Sequence, residues 1–141
     1  ATNTIKKRSK ENNLEAFIKV ENYDIRKKLN FDNENFQACY SHMLFCMALS
    51  NQDLEDLNKE IWRILKKDGM NIYTVRNQTD GDFKKGIHRG EDMYEMNGFI
   101  VHYFSENKIK SLLKGFTNIS IENFDEGSFP RKLSLVINKK K

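Results

Sequence analysis

The chain has 141 residues, 38% of them hydrophobic, and a formal net charge of +4. That length suits one small domain over residues 1–141 with a single core and leaves little room for a second. Lys6, Lys7, Arg8, Lys10, Lys139, Lys140 and Lys141 place seven positive charges at the two ends, so the stretch between is net acidic, which argues against a phosphate-tracking nucleic-acid surface.

In chain order, Thr4 to Asn13 reads as a short basic helix. Glu15 to Tyr23 is a strand candidate, with Phe17, Ile18 and Val20 apolar, ending at Asp24. A polar loop from Phe31 to Asn35 leads into an apolar strand that begins at Phe36. In Asp53 to Lys67 the residues Leu54, Leu57, Ile61, Ile64 and Leu65 recur at helical spacing on one face, with charged residues opposite. Ser50 is placed to cap this helix, Asp53 suits the positive end of its dipole, and Lys66, Lys67 and Gly69 supply a basic end and a left-handed stop. A second strand then runs to Val75.

Strand, helix and strand in this order predict a right-handed parallel βαβ unit, and ligands of open α/β sheets bind beyond the carboxyl ends of such strands. That directs attention to Tyr40–Leu44 and to the segment after Val75. Arg76 to Gly98 is the least regular stretch and holds Gly81, Gly86, Gly90 and Gly98; long irregular segments in compact domains carry function or mobility. Ser105 to Lys114 reads as a helix with Phe104 and Ile109 as a hydrophobic staple and Gly115 as its stop. Thr117–Phe124 and Lys132–Asn138 alternate as strands joined through a turn with the sole proline, Pro130.

Two cysteines, Cys39 and Cys46, make a poor disulfide framework and read as reduced buried thiols. With no hydrophobic signal core in ATNTIKKRSKENN and no apolar run near the roughly 20 residues of a membrane span, this favours a cytoplasmic setting without membrane insertion. The three histidines lie far apart, and neither Cys-x-x-Cys nor His-Glu-x-x-His occurs, so no metal site is expected. Serine-hydrolase and P-loop motifs are absent as well.

The run FDNENFQACYSHMLF followed by LNKEIWRILKKDGMNIYTVRN resembles the fourth strand, the helix after it and the fifth strand of a class I, Rossmann-like, S-adenosylmethionine-dependent methyltransferase. GFIVHYFSENKIKSLLKGF is similar to that family's helix before the sixth strand, and NFDEGSFPRKLSLVINKK to its closing antiparallel hairpin. The resemblance implies an α/β fold with a partial Rossmann-like sheet, mostly parallel with a C-terminal antiparallel hairpin, and helices on both faces. It also shows a departure: no Gly-x-Gly occurs, although the family's first strand ends in a glycine-rich turn that lets the backbone approach the methionine portion of the cofactor. The chain resembles a methyltransferase domain without its first strand, first helix and second strand.

S-adenosylmethionine is the cofactor so implied, and a small molecule the acceptor. On the cofactor side the resemblance implies Asp24 and the Ile25 backbone at the adenine, with Ser41, His42 and Met43 lining the methionine portion. His42 and His88 are the candidate general bases; His42 can equally hydrogen-bond a backbone carbonyl. Arg76, Asn77, Arg89 and Arg131 are candidate acceptor ligands, Arg89 through a forked pair of bonds to an anion. Arg131 and Glu126 can instead close a structural salt bridge around Gly127-Ser128-Phe129-Pro130. His102 reads as a satisfied, partly buried histidine. The alternative to an enzyme is a Rossmann-like interaction module that pairs with a partner or a second copy through an exposed sheet edge.

Overall fold

The computed structural model describes residues 2–141. Helix α1 (Thr2–Glu11) is followed by β1 (Phe36–His42), α2 (Asn51–Ile64) and β2 (Leu65–Arg76). Short strands β3 (Ile87–His88), β4 (Met93–Met96) and β5 (Phe99–His102) come next, then α3 (Glu106–Ser111), β6 (Phe116–Glu126) and β7 (Arg131–Lys140). The main sheet has the order β1-β2-β7-β6, and β3-β4-β5 form a small separate sheet. β1 and β2 are parallel; β2–β7 and β6–β7 are antiparallel. The α/β architecture and closing hairpin follow the expectation; β1 and β2 of the βαβ unit pair in parallel, and an isolated parallel bridge joins Asn77 to Phe104.

Helix α2 begins as its sequence dictates. Ser50 accepts from the Asp53 N–H through its side chain while Asp53 returns a bond to the Ser50 N–H, so two orphan donors are satisfied reciprocally. Its stripe Leu54, Leu57, Ile61 and Ile64 is buried, worth about 1.5–3 kcal/mol for each side chain fully covered. The end differs from expectation. The helix stops at Ile64 and Leu65 is already extended (φ −74°, ψ 139°), opening β2 without a connecting loop. Asp68, not Gly69, takes the left-handed conformation (φ 63°), while a Cβ on Gly69 would lie 2.8 Å from the Lys66 carbonyl oxygen. Gly69 is thus a close-approach residue inside a strand.

Side chains of β2 alternate in direction. Tyr73 and Val75 join Val136 of β7 in the core with Leu54, Leu57 and Ile61 of α2, Ile109 of α3 and Leu112 just beyond it. The helices that complete the core therefore share one face. Ile72, Thr74, Leu135 and Ile137 alternate with Tyr73, Val75 and Val136 and point to the other. Asn58 of α2 donates to the Leu112 carbonyl at 2.7 Å and fixes α2 against the end of α3. Among the described residues no helix is long and apolar enough to cross a membrane.

Glu15–Tyr23 is not a strand. It forms turns and irregular chain, with Phe17 and Ile18 both donating to the Leu14 carbonyl and Phe17 84% exposed. A strand needs a neighbour for its N–H and C=O groups, and among the described residues β1 pairs only with β2. Arg76–Gly98 is more ordered than its glycines suggest, because β3 and β4 lie within it. Gly86 there has φ +78°, and a Cβ would meet the Glu95 carbonyl oxygen at 2.1 Å. Helix α3 is shorter than predicted, capped by Ser105 and followed by Gly115 at φ +83°.

Candidate functional site

Parallel pairing sets His42 beside Thr74 at the carboxyl ends of β1 and β2. The next residue, Met43, has φ 53°, an uncommon conformation for a residue with a side chain. This turn aims the Met43 N–H at Thr74, 3.1 Å from its carbonyl oxygen and 3.0 Å from its Oγ1. Thr74 Oγ1 also lies 2.9 Å from His42 Nδ1. On the other side of the ring, Nε2 is 3.4 Å from Glu126 Oε1 at the end of β6, and Glu126 Oε2 is 3.6 Å from Arg131. Thr74, His42, Glu126 and Arg131 thus form a chain across the strand ends. Thr74 and Arg131 sit at its ends, and Thr74 has no sequence signal beyond its place near the end of a strand.

A second feature lies alongside β1. A cavity of about 340 Å³ is lined by apolar residues including Leu29, Phe31 and Leu57, together with Ile25 and Ser41. Its outer wall is the loop before β1, held to α2 by Arg63. That guanidinium donates to the carbonyls of Leu29 (2.9 Å) and Phe31 (2.7 Å), while Glu60 accepts from the Leu29 N–H at 2.9 Å. Ile25 and Ser41, both predicted on the cofactor side, are brought to one cavity. Asp24 is not among its lining residues. Its two carboxylate oxygens take Arg26 Nε and NH2, each at 3.0 Å, and these bonds hold its pKa below the ordinary carboxylate value.

The remaining predicted residues are dispersed. Arg76 is buried and held by Asp80 and Asp82, with its guanidinium 5.3 Å from the Tyr103 ring centroid. Asn77 is buried as well; its side-chain amide donates to Ser134 Oγ at 3.2 Å. In the small sheet, exposed His88 bonds the Glu91 carbonyl through Nε2 at 2.8 Å, so this nitrogen carries the proton and Nδ1 is left as an acceptor. Arg89 pairs with Glu95 at 2.5 Å. His102 is fully buried; Nδ1–H donates to the Leu49 carbonyl at 2.6 Å and Nε2 accepts from Lys108. Neither cysteine is bonded to the other, and burial pushes both thiols up, keeping them un-ionised.

The family described as a methyltransferase domain matches residues 1–73, just over half of the chain and the part that holds Asp24, Ile25, Ser41, His42 and Met43. The chain belongs to that family. S-adenosylmethionine is the cofactor of the family. The fold of this methyltransferase domain is similar to a Pyrococcus horikoshii OT3 protein, with TM-score 0.76, 18% identity, and 99% of this chain and 66% of that chain covered. It is also similar to an S-adenosylmethionine dependent methyltransferase from Mesorhizobium loti (TM-score 0.72, 15% identity, 97% and 76% covered). A third likeness is to the N-methyltransferase NodS from Bradyrhizobium japonicum WM9, solved with S-adenosyl-L-homocysteine (TM-score 0.67, 9% identity, 96% and 61% covered). The chain therefore spans 66% of the length of the first of these and 61% of NodS. No curated protein sequence matches it.

Proposed function

We propose that this methyltransferase domain serves methyl transfer from S-adenosylmethionine to a small-molecule acceptor, with the adenine end held in the cavity beside β1 and the acceptor at the ends of β1 and β2. The observation that carries the reading is that Ile25 and Ser41, far apart in sequence, line one apolar cavity next to the strand end bearing His42. Such a cavity fits a flat heteroaromatic ring, since small-molecule sites are mostly apolar with a few placed polar groups. When bound, the cofactor supplies a methyl group on a sulfonium. The chain's own residues cover the ring, align the acceptor and handle its proton; alignment is the larger contribution in an in-line displacement.

In this reading the Ile25 backbone and Ser41 contact the ring, and Asp24 serves it once its side chain leaves Arg26. Met43 lies toward the methionine portion. None of the seven glycines forms a Gly-x-Gly turn, so the methionine portion has no backbone cradle of that kind in this sequence. The chain alone binds weakly, on the order of 1 mM, equivalent to about −4 kcal/mol. His88, with Nδ1 left as an acceptor, is the histidine able to take a proton, His42 and Arg131 flank Glu126 at the acceptor end, and Arg89 is the cation able to meet an acceptor after exchanging Glu95. Arg76 and Asn77, buried on partners of their own, take no direct part in this reading.

The test is a nuclear magnetic resonance titration of the chain with S-adenosylhomocysteine. Amide shifts should concentrate at Ile25, Ser41, His42 and Met43, and Ile25→Asp should abolish them by placing a charge in an apolar cavity. Shifts that bypass these four residues would refute the assignment.

A second reading is favoured by the position of β1 at the end of the sheet, with Tyr40 64% exposed. An unpaired strand can add a partner strand, making the domain an interaction module. Light scattering that gives a concentration-independent monomer mass would rule this out.

A further inference from the structure

His42 is the residue that chemical habit marks as the base, yet both of its ring nitrogens are already engaged. Nδ1 faces the Thr74 hydroxyl at 2.9 Å, and Nε2 faces the Glu126 carboxylate at 3.4 Å. A bare Nε2 would set its lone pair against a carboxylate, so Nε2 carries a proton whether the ring is neutral or charged. In the neutral ring, Nδ1 then accepts from Thr74, whose oxygen in turn accepts from the Met43 N–H. No imidazole lone pair is left for an incoming molecule. The group with spare capacity is Glu126. Its side chain is 36% exposed, and each oxygen has one neighbour in this chain, His42 or Arg131. An ionised carboxylate offers about four lone-pair sites, and neither neighbour closes one with a normal hydrogen bond, so the group is open to an incoming donor.

Resting on the methyl-transfer reading, we propose that Glu126 is the acceptor-facing catalytic residue, that His42 and Thr74 position it, and that the acceptor is an amine. The charge balance of the reaction selects the class. As the carbon–sulfur bond breaks and a carbon–nitrogen bond forms, the sulfonium becomes a neutral thioether and the positive charge passes to the acceptor nitrogen. A carboxylate already placed beside that nitrogen stabilises the charge as it develops, and the methylated ammonium leaves with its proton, which it yields to water in solution. His42 Nε2 and Arg131 flank the carboxylate, one beside each oxygen, at 3.4 and 3.6 Å. A neutral alcohol is too weak a nucleophile to attack without a base stronger than a carboxylate, and an anionic acceptor would be repelled.

Two measurements on the 141-residue chain test this, and neither requires methyl transfer. The first is the nitrogen-15 spectrum of the three imidazoles at alkaline pH. His42 should show a protonated Nε2 and an accepting Nδ1, retained in Thr74→Ser and converted to a tautomer mixture in Thr74→Val. A protonated Nδ1 in the neutral ring, or no change in Thr74→Val, would overturn the positioning role. The second is titration with benzylammonium, benzyl alcohol and benzoate, read at the His42 ring. Benzylammonium should shift it saturably, with roughly tenfold weaker binding in Glu126→Gln, about 1.4 kcal/mol, and unchanged binding in Glu122→Gln on the same strand. Equal response to the alcohol or to benzoate, no response to benzylammonium, or indifference to Glu126→Gln would overturn the amine assignment. Failure of the S-adenosylhomocysteine titration with this response intact would refute the cofactor reading alone.

Discussion

Arg76 grips Asp80 with two nitrogens, Nε on Oδ2 at 3.0 Å and NH2 on Oδ1 at 2.5 Å, where β2 leaves the sheet. Asp80 also accepts from the backbone N–H groups of Asp82 and Lys132, both at 2.9 Å, so one buried carboxylate ties β2, the following turn and β7 together. Burial pushes the carboxyl up, but Arg76 and the two backbone donors outweigh it and leave its pKa below the ordinary 3.8.

A depressed native value means that the Asp80 contribution is present above pH 3.8 and is lost as pH falls through the lower native value. Asp80→Asn should flatten this acid limb of a urea-stability profile. Asp80→Ala should cost about 3 kcal/mol at neutral pH, because it leaves the buried guanidinium with Asp82 alone and removes the acceptor of two backbone N–H groups. An acid limb identical to that of the parent chain would contradict the pairing.

His102 should govern a milder pH range. Burial pushes its pKa below 6.5, only partly opposed by the Leu49 carbonyl that accepts from Nδ1–H. The unfolded chain therefore takes up this proton first. Stability is full above pH 6.5 and declines from there toward the lower native value. His102→Gln should reduce this slope in urea titrations compared at about pH 7.5 and pH 5.

Arg63→Ala should release the loop that walls the cavity beside β1. The lost bonds to Leu29 and Phe31 carbonyls are charge-assisted, and removing them should cost about 2 kcal/mol in total. Hydrogen exchange should accelerate at the Leu29 amide, which Glu60 now covers, and S-adenosylhomocysteine binding should weaken without loss of α2.

Gly115→Ala should be felt at the only tryptophan. At φ +83°, a Cβ here would lie 2.7 Å from Trp62 Nε1, which now donates to the Gly115 carbonyl at 3.1 Å. The substitution combines backbone strain with displacement of the ring, for a loss above about 1 kcal/mol. A red-shifted tryptophan emission should accompany it.

The βαβ unit was legible because its cues are local. The α2 stripe, the Ser50 cap and the alternation of the hairpin strands each lie within a few residues. Gly69 misleads because glycine after a basic pair has two uses, and only the chain passing beside it shows that close packing is the one in force. Glu15–Tyr23 misleads for a related reason: apolar content marks the capacity to be a strand, whereas pairing depends on what lies alongside. The site was half legible. Strand ends pointed to Ser41, His42 and Met43, but Arg76 and Asn77 follow β2 into the interior, where their partners use up their hydrogen-bonding capacity. The Glu126–His42 contact joins residues at opposite edges of the sheet, and no local pattern can announce it.

Leu65 ends α2 and begins β2 with no residue between them. The joint is nevertheless followed by slack: the register with β1 runs from Phe36–Leu65 to Ala38–Met70, so residues 66–69 bulge out of the ladder, with Asp68 at φ 63°. A bulge takes up an extra or missing residue locally, so a one-residue change there should leave Tyr73 in the core and Thr74 beside His42. The phase of the strand at the candidate site is set by its pairing with β1 and β7 and not by the helix that feeds it.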